Sequence, residues 1–321
     1  MPLKLACASH SPLMRDGPCS DEVRSGVSRG FAALAATIRD FDPHYVIQFS
    51  PDHFSGFFYE LMPAFCVGTK ADAIGDWDTT AGPLDVPHDE AVALSRHLLR
   101  ADFDVAQSHH MRLDHGFVQI WESLFGTATG LPIIPIFINC AAPPLPSFRR
   151  ARQLGEAVGR FALQSGKRVL LATSGGLSHD PPIPSFWKSP PEVASRLLDP
   201  QNPTAGERAA REERTKVAGR EAHAGGGAIL PVSGKWDRGF LDRLSAGLTG
   251  EFDDLHPEDM IAAAGRGGPG VLCWMAAMAA LATAGPTESR LHFYEAIQGW
   301  VAGMAIFSAR TVSPASSPEQ A

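Results

Sequence analysis

The stretch Val169-Leu-Leu-Ala-Thr-Ser-Gly-Gly-Leu-Ser-His-Asp180 decides how this chain is read. An apolar, partly β-branched run breaks at Ser174-Gly-Gly, and a histidine beside an aspartate follows. Such a run reads as a buried strand. The small residues after it let the backbone turn tightly and deliver His179 just past the strand's carboxyl end. In open α/β sheets, ligands sit at that edge. The same construction occurs twice more, in Lys4-Leu-Ala-Cys-Ala-Ser-His10 and Tyr45-Val-Ile-Gln-Phe-Ser-Pro-Asp-His53. If the three strands run parallel, their histidines share one edge and form a site.

Working outward, apolar residues spaced by three or four (Val23, Val27, Phe31, Leu34, Ile38) predict an amphipathic helix over 21–41. Further helices are expected over 89–101, 117–125, 148–164 and 207–222, with strands over 103–105 and 133–138. The segment 54–87, rich in aromatic, Gly, Asp and Pro residues, reads as a long loop with a strand near 64–67. Such a loop beside a site is a candidate substrate wall. The last third reads as helical (236–244, 257–264, 270–284), with a strand and short helix over 291–307. A Ser/Pro/Glu-rich tail, 312–321, is expected to be disordered. No repeat or domain boundary is evident. The expected fold is α/β: a single three-layer domain over 1–311, with a mainly parallel central sheet flanked by helices and a helical C-terminal part.

Composition narrows the function. With 321 residues the chain can bury a sizeable core, and 44% hydrophobic with 20% charged residues fits an ordinary soluble enzyme. A formal net charge of −7 argues against nucleic acid or an anionic membrane as the main partner. The five cysteines lie far apart without a CxxC pair, which suggests reduced, structural thiols in the cytoplasm. No signal peptide or membrane-spanning stretch is expected.

Neutral imidazole is the commonest metal ligand, and two such residues on neighbouring strand tips can meet at one ion. His10 and His53 are therefore metal-ligand candidates, with Asp52 placed to fix the His53 tautomer. A lone loop histidine is more often bonded to backbone, but the matched contexts favour a metal. His115 and His179 each adjoin an aspartate, Asp114 and Asp180, and suit general acid–base work. The plainer reading makes Asp114 a helix cap with His115 in the first turn. His109 and His110 read as solvated loop residues, and His44, His88, His97, His223, His256 and His292 carry no assigned role. Gly175-Gly176 lacks the Walker lysine and the dinucleotide spacing, and no Gly-x-Ser-x-Gly elbow is present.

Ala8-Ser-His-Ser-Pro12, Ser50-Pro-Asp-His53, Leu113-Asp-His-Gly-Phe117 and Thr173-Ser-Gly-Gly-Leu-Ser-His-Asp180 together resemble the class III extradiol ring-cleavage dioxygenases, the family of the protocatechuate 4,5-dioxygenase β subunit. Trp236-Asp-Arg-Gly-Phe-Leu-Asp-Arg243 and the run from Ala264 to Trp274 follow the same layout, so the likeness spans residues 3 to about 305. The resemblance implies extradiol cleavage of a catechol by O2 at non-haem Fe(II), held by two histidines and a glutamate. His10 and His53 match the ligand histidines. His115 matches the proton donor and His179 the proton acceptor. Overall similarity implies 3-(2,3-dihydroxyphenyl)propionate or 2,3-dihydroxycinnamate as substrate, in aromatic catabolism. It also implies a homo-oligomer, such as a tetramer, and the Ala-rich helix 275–284 is a candidate interface. Lys188, Arg196 and Arg243 are candidates for binding the substrate's side chain.

One position departs from the family. Its glutamate ligand falls on Gly270, and no acidic residue lies between Asp259 and Glu288. Asp52 and Asp180 are the candidates to complete the sphere instead. The rival readings are a metal-dependent hydrolase using His10 and His53 to activate water, and a catalytically impaired binding protein of the same fold.

Overall fold

A computed structural model describes residues 2–128, 130–198 and 204–312. Apart from Val312, the expected tail lies outside them. The first half of the chain contains β1 (Leu3–Ala8), α1 (Asp21–Phe41), β2 (Tyr45–Ser50), β3 (Phe65–Gly68), β4 (Ala71–Ile74) and β5 (Ala81–Leu84). It continues with α2 (His88–Arg100), β6 (Ala106–Ser108), β7 (Met111–Leu113), α3 (His115–Phe125), β8 (Ile133–Ile138) and α4 (Phe148–Gln164). The remainder is β9 (Val169–Ser174), α5 (Pro191–Leu198), α6 (Ala205–His223), α7 (Gly234–Ser245), α8 (Pro257–Ala264), α9 (Val271–Ala282), β10 (Thr287–Ile297) and β11 (Ala302–Thr311).

Eight strands form one sheet in the order β10-β11-β1-β9-β2-β8-β3-β6, and β5-β4-β7 form a small second sheet. The four central strands β1, β9, β2 and β8 run parallel, with Val169 in register with both Leu3 and Tyr45. Every residue of β2, β8 and β9 is buried, as parallel strands covered on both faces must be. One apolar layer packs α2, α4 and α9 against the sheet, and the other packs α1 and α3. This is the expected three-layer α/β arrangement. β1, β9 and β2 are neighbours, so their carboxyl ends lie together.

The helices start where the sequence supplies caps. Ser20 accepts the Val23 amide at the start of α1, and Asp114 accepts the Gly116 amide at the start of α3. α9 differs from its expected exposed interface: Val271 to Leu281 are all buried. Its alanines allow close approach to α4. A Cβ on Gly155 or Gly159 of α4 would fall 2.0 Å from the Ala276 carbonyl oxygen or 2.2 Å from that of Ala280. This alanine-rich face is core, so it offers no surface to a second copy.

Three further expectations shift. The 103–105 strand forms instead at β6, after a left-handed residue at Asp102 (φ 57°). The 54–87 segment contains three strands as well as loop. Within 291–307 the expected strand is present as part of β10, but the expected short helix is only a turn at Gln298–Trp300 before β11, and the two strands pair antiparallel along the β1 edge. No helix of the described residues is long and apolar enough to cross a membrane.

Candidate active site

Three loops leaving the sheet edge and one helix start build the site. Ser9 and Ser11 fix the loop after β1: Ser9 Oγ donates to the Gly303 carbonyl (2.8 Å) and Ser11 Oγ to that of Trp300 (2.7 Å). His10 between them is buried, and its Nδ1 lies 2.6 Å from Ser174 Oγ at the end of β9. The loop after β2 is held by Asp52, which accepts the amides of Ser55, Gly56 and Phe57. That turn presents His53. Its backbone amide (2.8 Å) and Nδ1 (2.9 Å) both donate to Asp114 Oδ2. Asp114 is therefore both the cap of α3 and the orienting carboxylate of His53. Asp52, expected in that second role, is occupied by its own turn.

His115 begins α3, with its amide (2.8 Å) and Nδ1 (2.5 Å) bonded to Asp76. The rings of His10, His53 and His115 pack at centroid separations of 5.2, 5.4 and 4.5 Å. His179 lines the same cavity, half-buried, with Nδ1 3.1 Å from the Leu177 carbonyl. The loop after α8 clamps it: His179 donates its amide to Ala264 and accepts that of Gly267. Gly267 has to be glycine, since a Cβ there would stand 1.9 Å from His179 Nε2. The structure thus brings together all four histidines singled out from the sequence.

Their electrostatics differ. Burial lowers the His10 pKa well below its ordinary value, reinforced by His53 and His115. Burial also disfavours a charged His115, but Asp76 and Asp114 outweigh it and hold that pKa above the usual value. The His179 ring bonds a backbone carbonyl instead: burial pushes its pKa down to about 4, against the opposing Leu177 carbonyl and the more distant charge of Asp180. Asp180 turns away to Arg266, whose Nε lies 2.6 Å from Oδ1. Burial would raise the Asp114 pKa, but the neighbouring His53 and His115 keep it ionised.

His10, His53 and His115 each offer a ligand atom within 4.8 Å of the others, a donor set suited to a divalent cation. In each, Nδ1 is engaged by Ser174, Asp114 or Asp76, which leaves Nε2 for a ligand. The carboxylates raised from the sequence as a third ligand are engaged elsewhere, Asp52 in its turn and Asp180 with Arg266. Gly270 sits against the backbone of Gly175 and Gly176, just beyond Ser174. The donors therefore fit a metal held by imidazoles.

The cavity above the histidines holds about 370 Å³. Phe54, Phe58, Trp77 and Trp300 wall it, and Arg208, Arg211 and Arg214 of α6 line its other side. Phe54, Trp77 and Val301 in this wall have left-handed backbone (φ 55°, 53° and 54°), strain of a kind that gathers at functional sites. Of the cations proposed from sequence for the side chain, Arg196 lines the cavity, whereas Lys188 and Arg243 do not. The sequence reading also passed over Asp76, Ser174 and the α6 arginines. Only the Ser-ended strand hinted at Ser174. Asp76 lies 39 residues from its partner, with nothing local to pair them.

A family model for the catalytic LigB subunit of aromatic ring-opening dioxygenase matches residues 4–305. Proteins named 2,3-dihydroxyphenylpropionate/2,3-dihydroxicinnamic acid 1,2-dioxygenase are similar over nearly their whole length. That of Photorhabdus laumondii is 44% identical over 313 residues, covering 98% of this chain and 99% of the relative. One from a Rhodococcus species is 45% identical, covering 97% and 99%. Among solved structures, an uncharacterized protein from Escherichia coli K12 shares the fold at a TM-score of 0.54 and 13% identity, covering 95% of this chain and 98% of that one.

Proposed function

The chain belongs to the family of the catalytic LigB subunit of aromatic ring-opening dioxygenases, and from that premise we propose that it opens 3-(2,3-dihydroxyphenyl)propionate or 2,3-dihydroxycinnamate beside its vicinal hydroxyls, using O2 at Fe(II). The observation that carries this reading is the convergence of four histidines on one apolar-walled cavity, three within metal-ligand reach of one another and one beside them.

In this reading His10 and His53 hold the iron through Nε2, and Ser174 and Asp114 fix their rings. A metal bound there would supply a common site for catechol and O2 and a path for electrons between them. Burial disfavours the charged form of His179, so in this reading its neutral ring presents a free lone pair to the proton that the catechol hydroxyl loses. His115, whose charged form Asp76 favours, supplies the proton that assists ring cleavage. The two histidines differ in their carboxylates, and that difference sets their opposite roles. Phe54, Phe58, Trp77 and Trp300 flank the ring and exclude water.

The protein would work in the cytoplasm, as a homo-oligomer. Anaerobic loading with Fe(II), then catechol substrate and air, tests the reading. Consumption of one O2 per substrate with a yellow ring-fission product is expected. Ester or amide cleavage without O2 uptake would favour the hydrolase instead.

A further inference from the structure

α6 is charged around its whole surface, yet it lies against the site. Its later half is seated on the segment before β11: a Cβ on Gly219 would stand 2.7 Å from the Gly299 carbonyl oxygen and 2.7 Å from Leu13. Its earlier half carries Arg208, Arg211 and Arg214, spaced by three along one side, onto the cavity. Arg211 is half-buried, and one Nη donates to the His53 carbonyl at 2.5 Å. Among the described residues, no acidic side chain forms an ion pair with Arg211 or Arg214. Arg196 nearby differs, since Glu207 lies 3.4 Å from it.

A half-buried guanidinium with no counter-ion among the described residues, facing aromatic walls in a protein of net charge −7, is costly unless a negative charge is supplied to it, and a ligand can supply one. The planar fork of arginine suits a carboxylate, which it can hold through two parallel hydrogen bonds. The bond to the His53 carbonyl ties Arg211 to the loop that presents a metal-ligand candidate. A three-carbon acid side chain reaches roughly 5 Å beyond its ring. A ring lying over the histidines would therefore extend its side chain toward this arginine.

We propose that Arg211, assisted by Arg214, is the receptor for the carboxylate on the substrate's side chain and selects carboxylated catechols over neutral ones. This rests on the dioxygenase reading for the ring's placement, but the receptor can be tested without turnover. Titration calorimetry of the full metal-free chain compares 3-phenylpropionate with 3-phenylpropanol, which differ in charge but share ring and length. Wild type is expected to bind the acid at least about tenfold tighter, the equivalent of one hydrogen bond to a charged group, and to lose that preference as salt rises.

Arg211→Gln should abolish the preference by weakening the acid alone, Arg211→Lys should keep part of it, and Arg214→Gln should reduce it about threefold. The Arg214 variant also serves should Arg211→Gln fail to fold. No preference in wild type, or a preference untouched by both Gln variants, overturns the receptor. Loss of both probes in equal measure would make Arg211 a prop for the His53 loop, and also overturns it. A clear preference in a protein that opens no catechol ring would leave the receptor standing and refute the dioxygenase reading instead.

Discussion

Replacing Asp76 by Asn isolates the proton-donor role of His115. Both side chains are nearly buried, 4% and 12% exposed, and Nδ1 lies 2.5 Å from the carboxylate. A hydrogen bond to a charged group contributes about 1.5–3 kcal/mol, and one pKa unit corresponds to about 1.4 kcal/mol. Burial by itself disfavours the charged ring, so Asp76→Asn should lower the His115 pKa. His115 acts when protonated. The alkaline limb of kcat/KM against pH should move to lower pH, with the rate above the wild-type limb falling by up to about 10- to 100-fold, the equivalent of that bond. The same pair also affects stability. Because the folded pKa is raised, its contribution is full below the unfolded value near 6.5 and fades as pH rises through the folded value. The assay is the pH–rate profile, supported by imidazole NMR titration of the metal-free protein. A folded variant whose alkaline limb and His115 titration both stay in place would refute the reasoning.

Other changes are expected to act just as locally. Gly270→Glu adds an anionic donor at a helical backbone position (φ −51°), with its Cβ 3.3 Å from the Gly176 carbonyl oxygen. Metal titration should show about 100-fold tighter binding, since a unit charge pair at 4 Å contributes up to about 4 kcal/mol before desolvation. Unchanged affinity would count against that assignment. Gly267→Ala drives a methyl into the His179 ring and should cost about 1–3 kcal/mol in denaturant unfolding, with lost turnover. Asp237 is buried beneath Ser178 and Tyr294, and burial raises its pKa to about 6. A raised carboxylate pKa stabilises most below the unfolded value near 4, and that stabilisation is lost as pH rises through 6. Asp237→Asn should therefore gain on wild type by about 2–3 kcal/mol between pH 4 and 7 in parallel unfolding curves.

Much of this site could be read from the sequence because its histidines follow local signals. Each buried strand of the parallel core announces itself as an apolar run, and the Ser or Gly that breaks it marks the ligand-binding edge. His10, His53 and His179 were therefore placed without any long-range information. The partners that set their chemistry were not legible in the same way. Asp76 reaches His115 across 39 residues, and Arg211 reaches the His53 carbonyl across 158. The packing of α9 also ran against local appearance. An alanine-rich helix resembles a bland surface until Gly155 and Gly159 show that small residues serve close contact within the core. At the C-terminal end a strand was legible but its start at Thr287 was not, because β10 is half-exposed and alternates weakly, and such an edge strand has little apolar periodicity to show.

The most direct test is anaerobic Fe(II) titration of wild type, His10→Ala and His53→Ala, followed by substrate and air. One iron per chain is expected in wild type, with ring-fission product and matching O2 uptake, and both should be lost in each variant. Iron binding and turnover that persist without His10 and His53, or a wild type that binds iron yet leaves the catechol intact, would contradict a ring-opening centre at this sheet edge.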